Sequence, residues 1–140
     1  MSVYLDASVL VALFTDDALT SRADSVLREV RDTLIVSDFA GVEMTSAVSR
    51  RVRTRDLTAE DARHVFEAFD GWMNRGVQRE ELRPEDIAKA GGYLRRLDLV
   101  LRAPDAINIA MAQRMDASLL SFDEKMVVAA RSLGLRILPA

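Results

Sequence analysis

Two hydrophobic periods alternate along this chain. Short, largely apolar runs at residues 3–5, 34–36 and 117–122 read as strands covered on both faces, because a strand with one wet face would alternate apolar with polar. Between them apolar residues recur three and four apart, the pattern of a helix with one buried face. Strand 3–5 runs through Asp6 into a helix over 7–14, which Thr15-Asp16-Asp17 breaks into a solvated loop. Ala23, Val26, Leu27 and Val30 predict a helix over 20–31, and Ser37-Asp38 supplies the N-cap of the next, over 39–53. That helix is expected to turn Phe39, Val42, Ala47, Val48 and Val52 inward. Thr58-Ala59-Glu60-Asp61 resembles a capping box and opens a helix to about residue 75. Its stripe of Val65, Phe66, Phe69, Trp72 and Met73 is either core or an association surface.

Gly76 ends that helix ahead of a short edge strand reaching Leu82, and Pro84 sits where proline prefers to start a helix. Inside that helix Gly91-Gly92 costs about 2 kcal/mol against alanines, so a close helix crossing or a break is expected there. Pro104 marks the first turn of a helix apolar on nearly every face, hence buried. A last helix over 124–133, stopped by Gly134, leads to a short strand over 135–138 closed by Pro139. The alternation predicts one α/β domain over residues 1–140 with a mainly parallel sheet.

Composition removes several classes of function. The chain has 140 residues, 49% of them hydrophobic, enough for a core without staples. With no cysteine, thiolate metal sites are excluded; His64, the one histidine, has no second imidazole to join it and is expected at the surface, so a zinc site built on imidazoles is not expected and any metal must be held mainly by oxygen. No apolar run reaches the roughly 18 residues of a membrane span and the N-terminus lacks signal-peptide features, so a cytoplasmic protein is expected. The net charge of -3 does not announce a nucleic-acid binder. Arg50, Arg51, Arg53 and Arg55 nonetheless cluster at one helix end, where they answer either the helix dipole or phosphates.

Four acids stand at special places. Asp6 and Asp123 each follow an apolar strand, at the edge where open parallel sheets bind ligands, although Asp6 also fits the N-cap of the helix after it. Asp105 lies in the first turn of a buried helix, favoured there by the dipole, with Asn108 one turn on and able to bond Asp105 or something Asp105 holds. Glu43 shares a helix face with Ala40 and Ala47, which leaves it either at a boundary or free to reach into a cleft. If these acids converge, two carboxylates about 5 Å apart repel by about 3 kcal/mol at an effective dielectric near 20, so the cluster must be protonated or metal-filled. Oxygen ligands alone select Mg²⁺ or Mn²⁺, and metal-activated water attack on a phosphodiester is the natural use of such a site.

These residues also carry a family resemblance. The stretch from Val3 with Asp6-Ala7-Ser8, the pairing of Ser37-Asp38 with Glu43, Ala103-Pro104-Asp105-Ala106, and Ser121-Phe122-Asp123 together resemble a PIN domain, most closely the VapC toxins of toxin–antitoxin pairs. The resemblance implies a three-layer α/β/α sandwich and an Mg²⁺- or Mn²⁺-dependent endoribonuclease that leaves a 5′-phosphate and a 3′-hydroxyl. By position Asp6, Glu43 and Asp105 match the metal-binding acids and Asp123 the more variable fourth. Ser8 matches a small polar residue that helps hold water or phosphate, Ser121 stands where threonine is frequent, and Asn108 where histidine or another polar residue is found. The family also implies a homodimer and a VapB-like antitoxin whose arginine reaches the acids; the stripe of Phe66, Phe69 and Trp72 is then expected to be part of the antitoxin groove or of the core beside it.

Other readings compete. An aspartyl phosphotransferase usually carries a second acid where Ser8 stands, and a dinucleotide-binding domain wants glycines that residues 7–10 lack. A catalytically inert PIN-like scaffold that binds RNA or protein, or a DNA-directed PIN nuclease, is the alternative.

Overall fold

Along β1 (Ser2–Leu5) the side chains alternate between two apolar layers, Val3 and Leu5 entering one core and Tyr4 the other. A strand buried on both faces needs helices on both sides, and the chain supplies them. The computed structural model describes residues 1–140. After β1 come α1 (Ala7–Phe14), α2 (Thr20–Glu29), β2 (Thr33–Ser37), α3 (Asp38–Arg53), α4 (Ala59–Met73) and β3 (Gln78–Glu80). Then follow α5 (Pro84–Arg95), α6 (Ala103–Arg114), β4 (Ser118–Leu120) and α7 (Glu124–Ser132). Helices thus separate every pair of strands, as parallel pairing demands.

The sheet order is β3-β2-β1-β4, with every pair parallel. Because β1 has β2 on one side and β4 on the other, the winding direction reverses beside it, which is where such sheets open a crevice at their carboxyl ends. One core packs Val3, Leu5, Val36 and Leu120 against Leu10, Met44 and Val48, with Val26, Leu27, Phe66 and Phe69 at its margin. The other packs Tyr4, Ile35 and Leu119 against Ile109, Met111, Met126 and Ala130, with Tyr93 at its margin. Three layers, α/β/α, result.

Three local expectations are corrected. Val42 is 67% exposed; the buried stripe of α3 is Ala40, Met44 and Val48, and Val42 falls on the opposite side of the helix. Gly91 and Gly92 mark neither a crossing nor a break, since α5 runs through them and a Cβ at either would meet nothing within 4 Å. The helix packs through Ala90 and Tyr93 instead. The C-terminal strand shrinks to a single bridge, in which Leu119 N–H donates to Arg136 O and Leu138 N–H donates to Leu119 O, both at 2.8 Å. Elsewhere Phe14 meets the edges of Phe69 and Trp72 at centroid distances of 5.5 and 5.3 Å, so the aromatic stripe of α4 clasps α1. His64 is exposed.

Candidate active site

Asp6 is a helix cap and also the centre of a polar knot at the sheet's carboxyl edge. Its Oδ1 accepts from Val9 N–H at 3.3 Å, closing the first turn of α1, and from Ser8 Oγ at 2.6 Å. Its Oδ2 accepts from Ser121 Oγ at 2.8 Å. Each serine hydroxyl also accepts a backbone N–H, Ser8 from Phe122 at 2.9 Å and Ser121 from Asp123 at 3.0 Å. Ser8 and Ser121 therefore hold Asp6 and stitch the turn after β4 onto it. Asp123 caps α7 through Oδ1, which accepts from Met126 N–H at 3.2 Å.

The other two acids come from α3 and α6. Asp105 lies in the first turn of α6, where its Oδ2 accepts from Arg102 N–H at 3.2 Å. Asn108 does not turn to Asp105: its Nδ2 donates to Glu43 Oε1 at 2.6 Å and to Pro104 O at 2.9 Å. Its Oδ1 accepts from Tyr4 Oη at 2.6 Å, and Tyr4 lies 2.6 Å from Ser37 Oγ. Tyr4, which in the sequence reads only as part of a strand, and Ser37, paired there with Glu43 in the family resemblance, thus join the candidate site. A tyrosine in a buried strand reads as packing, and only its need for a polar partner hinted otherwise.

Electrostatics confirm that the acids feel one another. Burial pushes the Asp6 carboxyl up to about 6, against the hydrogen bonds of Ser8, Ser121 and Val9, and Asp123 adds to the rise. Burial also raises Glu43, opposed by Asn108 and reinforced by the charges of Asp6 and Asp105. Asp105 is raised by burial and by Asp123, with its bond to Arg102 N–H and the charge of Arg102 pulling the other way. None of the four acids forms an ion pair with a lysine or arginine. Three of the acids are anions at helix N-termini, where the backbone dipole favours negative charge.

A divalent metal fits this donor set in part. Glu43 Oε2, Asp105 Oδ1 and Asp123 Oδ2 carry no hydrogen bond from the protein, so each offers a free oxygen to a cation. No three acids converge into a closed cage. Mg²⁺ does not require one, because it keeps several waters and takes one or two carboxylates. Carboxylates that raise each other's proton affinity without an ion pair to any lysine or arginine are the condition that a metal relieves.

Beside the acids runs a cleft of about 1070 Å³ lined by Ser8, Glu43, Arg50, Arg51, Arg53 and Arg102 among others. Arg50 and Arg53 are exposed, whereas Arg51 is partly buried and donates to Thr15 Oγ1 at 2.9 Å, fixing the loop after α1. Arg55 has φ 64 and does not line this cleft. A second groove, of about 790 Å³, lies between α3, α4 and β3 and is lined by Val42, Phe66, Phe69 and Met73 with Asp38, Asp70 and Glu81.

Residues 3–132 match the PIN domain family. The chain belongs to that family. Asp6, Glu43, Asp105 and Asp123 all fall within the matched span of the PIN domain. Solved structures agree on the fold. Mycobacterium tuberculosis VapC20, described as a sarcin-ricin loop cleaving toxin, is 19% identical with a TM-score of 0.75, over 91% of this chain and 94% of that one. VapBC2 from Rickettsia felis, bound to a DNA fragment from its promoter, is 13% identical with a TM-score of 0.70, over 99% and 98%. VapBC-1 from nontypeable Haemophilus influenzae is 13% identical with a TM-score of 0.70, over 99% and 97%. No protein of curated function matches the sequence. No helix of this PIN domain is long and apolar enough to cross a membrane.

Proposed function

We propose that this PIN domain is an Mg²⁺- or Mn²⁺-dependent endoribonuclease, the toxin of a VapBC-type pair that works in the cytoplasm. The observation that carries the reading is the set of four acids, Asp6, Glu43, Asp105 and Asp123, whose charges act on one another, none of them in an ion pair with a lysine or arginine and three of them with a free oxygen. A divalent ion held there supplies an activated water and charge stabilisation for phosphodiester hydrolysis. The chain's own part is to fix the acids. Ser8 and Ser121 lock both oxygens of Asp6, Asn108 locks one oxygen of Glu43, and the α6 N-terminus steadies Asp105. Arg50, Arg53 and Arg102 line the adjoining cleft as cations for the phosphates of a single-stranded RNA.

The partner in this reading is a VapB-like antitoxin, supported by the VapBC complexes among the structural neighbours. The groove beside Phe66 and Phe69 is its seat, and an arginine of the partner would meet the acids. The same reading includes a homodimer, for which exposed Ile87, Leu97 and Val100 offer apolar surface.

One observation favours a second reading, an inert scaffold: no three of the acids close into a cage. Purified protein incubated with total RNA, and separately with single- and double-stranded DNA, decides between them. Discrete RNA fragments in Mg²⁺ or Mn²⁺ but not in chelator are expected. DNA cut in preference to RNA would move the assignment to a DNA-directed nuclease. No cleavage and no metal binding would favour the scaffold.

A further inference from the structure

The polar groups buried beneath Glu43 form a chain whose proton directions are all determined. Asn108 Nδ2 faces two atoms that only accept, Glu43 Oε1 and Pro104 O, so its neighbours fix the orientation of the amide. Asn108 Oδ1 then takes its hydrogen from Tyr4 Oη. A phenol has one proton, so Ser37 Oγ must donate to Tyr4 Oη, while Ser37 Oγ itself accepts from Ala40 N–H at 2.9 Å. Met111 Sδ, 3.7 Å from Tyr4 Oη, is too weak an acceptor to divert the proton. Every group from Ala40 to Glu43 therefore passes one hydrogen to the next, and the chain ends on Glu43 Oε1, which accepts it.

We infer that Tyr4, acting through Asn108, is a positioning residue for Glu43: the chain occupies Oε1 and leaves Oε2 as the one oxygen free to take a ligand. Tyr4, Ser37 and Asn108 are each no more than 2% exposed, so the chain is shielded from competing water. It also links β1, the end of β2, α6 and α3, and so fixes Glu43 relative to the strand that Asp6 follows. Packing alone would not need the hydroxyl, because phenylalanine fills the same space. Outer partners of this kind typically change metal affinity 10–100-fold when removed.

The inference rests on the reading of the acids as a divalent-metal site, and titration calorimetry with Mn²⁺ alone separates the two. Wild-type protein that binds no Mn²⁺ overturns the metal-site reading and this inference with it. Where wild type binds, Tyr4→Phe is expected to bind Mn²⁺ about tenfold more weakly while unfolding cooperatively. Its RNA cleavage should lose kcat rather than gain KM, and added Mn²⁺ should restore it. Asn108→Ala removes the last link and should weaken Mn²⁺ binding at least as much, which keeps the test open if Tyr4→Phe does not fold. A folded Tyr4→Phe or Asn108→Ala protein with wild-type Mn²⁺ affinity overturns the inference while leaving the metal site standing.

Discussion

Ser121 Oγ donates to Asp6 Oδ2 at 2.8 Å across 115 positions of sequence, joining the end of β1 to the turn that starts α7. The same hydroxyl accepts from Asp123 N–H, so one side chain orients one acid and anchors the backbone of another. The acid edge is therefore a hydrogen-bonded assembly rather than a set of independent carboxylates.

That assembly costs stability at neutral pH. The Asp6 carboxyl sits at about 6 in the folded protein against an ordinary 3.8. A raised acid contributes stability that is fully present below pH 4 and is lost as pH rises through about 6. The difference corresponds to about 3 kcal/mol. Glu43 and Asp105 are raised too and act with the same sign. Asp86 is lowered, so its contribution falls away only below its ordinary value, outside this window. Urea unfolding of chelator-treated protein is expected to show stability falling between pH 4.5 and 7. Asp6→Asn should flatten that slope and stabilise the metal-free protein at pH 7 by about 1–3 kcal/mol. Identical slopes for the two proteins would remove Asp6 as the source.

Arg114 ties the C-terminal end of α6 to α5 and to the edge strand β3. It pairs with Asp86 through Nε at 2.8 Å and Nη2 at 3.0 Å, and with Glu80 at 2.9 Å. Asp86 is buried, so Arg114→Leu leaves an unpaired carboxylate and should cost about 2–4 kcal/mol in denaturant unfolding. The double variant Arg114→Leu/Asp86→Leu should recover much of that loss. A single variant within about 0.5 kcal/mol of wild type would show the pair to be dispensable.

Arg50 and Arg53 point the substrate reading at a salt dependence. Replacing either by alanine should weaken binding of a non-cleavable single-stranded RNA and lower the slope of log affinity against log salt by about 0.7 per residue. An unchanged slope would take that arginine out of the phosphate track.

The antitoxin reading is tested at Phe69, which lines the groove between α3, α4 and β3. Phe69→Asp is expected to retain its circular dichroism spectrum and bind the cognate antitoxin at least tenfold more weakly. Unaltered affinity would place the antitoxin elsewhere.

Much of this protein is legible in its sequence because the decisive residues break local patterns. Asp6 and Asp123 follow apolar strand runs, and Asp105 interrupts a buried helix, so each announces itself without a partner in view. Pairings were not legible, because they depend on which elements the sheet brings together. Asn108 reaches Glu43 across 65 positions, and nothing near either residue predicts it. Tyr4 looked like core for the same reason, since its hydroxyl is satisfied from β2 and α6. Helical spacing misled at Val42, where a valine on the side of α3 away from the buried stripe lines an open groove instead. Composition misled at Gly91-Gly92, where small size serves no close approach.

The most direct test of the central claim compares wild-type protein with Asp6→Asn on total RNA in Mg²⁺ or Mn²⁺, mapping new 5′ ends by ligation that requires a 5′-phosphate. The account predicts discrete ligatable ends from wild type, absent in chelator and absent with Asp6→Asn although that protein is folded. Equal cleavage by Asp6→Asn, or cleavage that survives the chelator, would contradict a metal-dependent site built on Asp6.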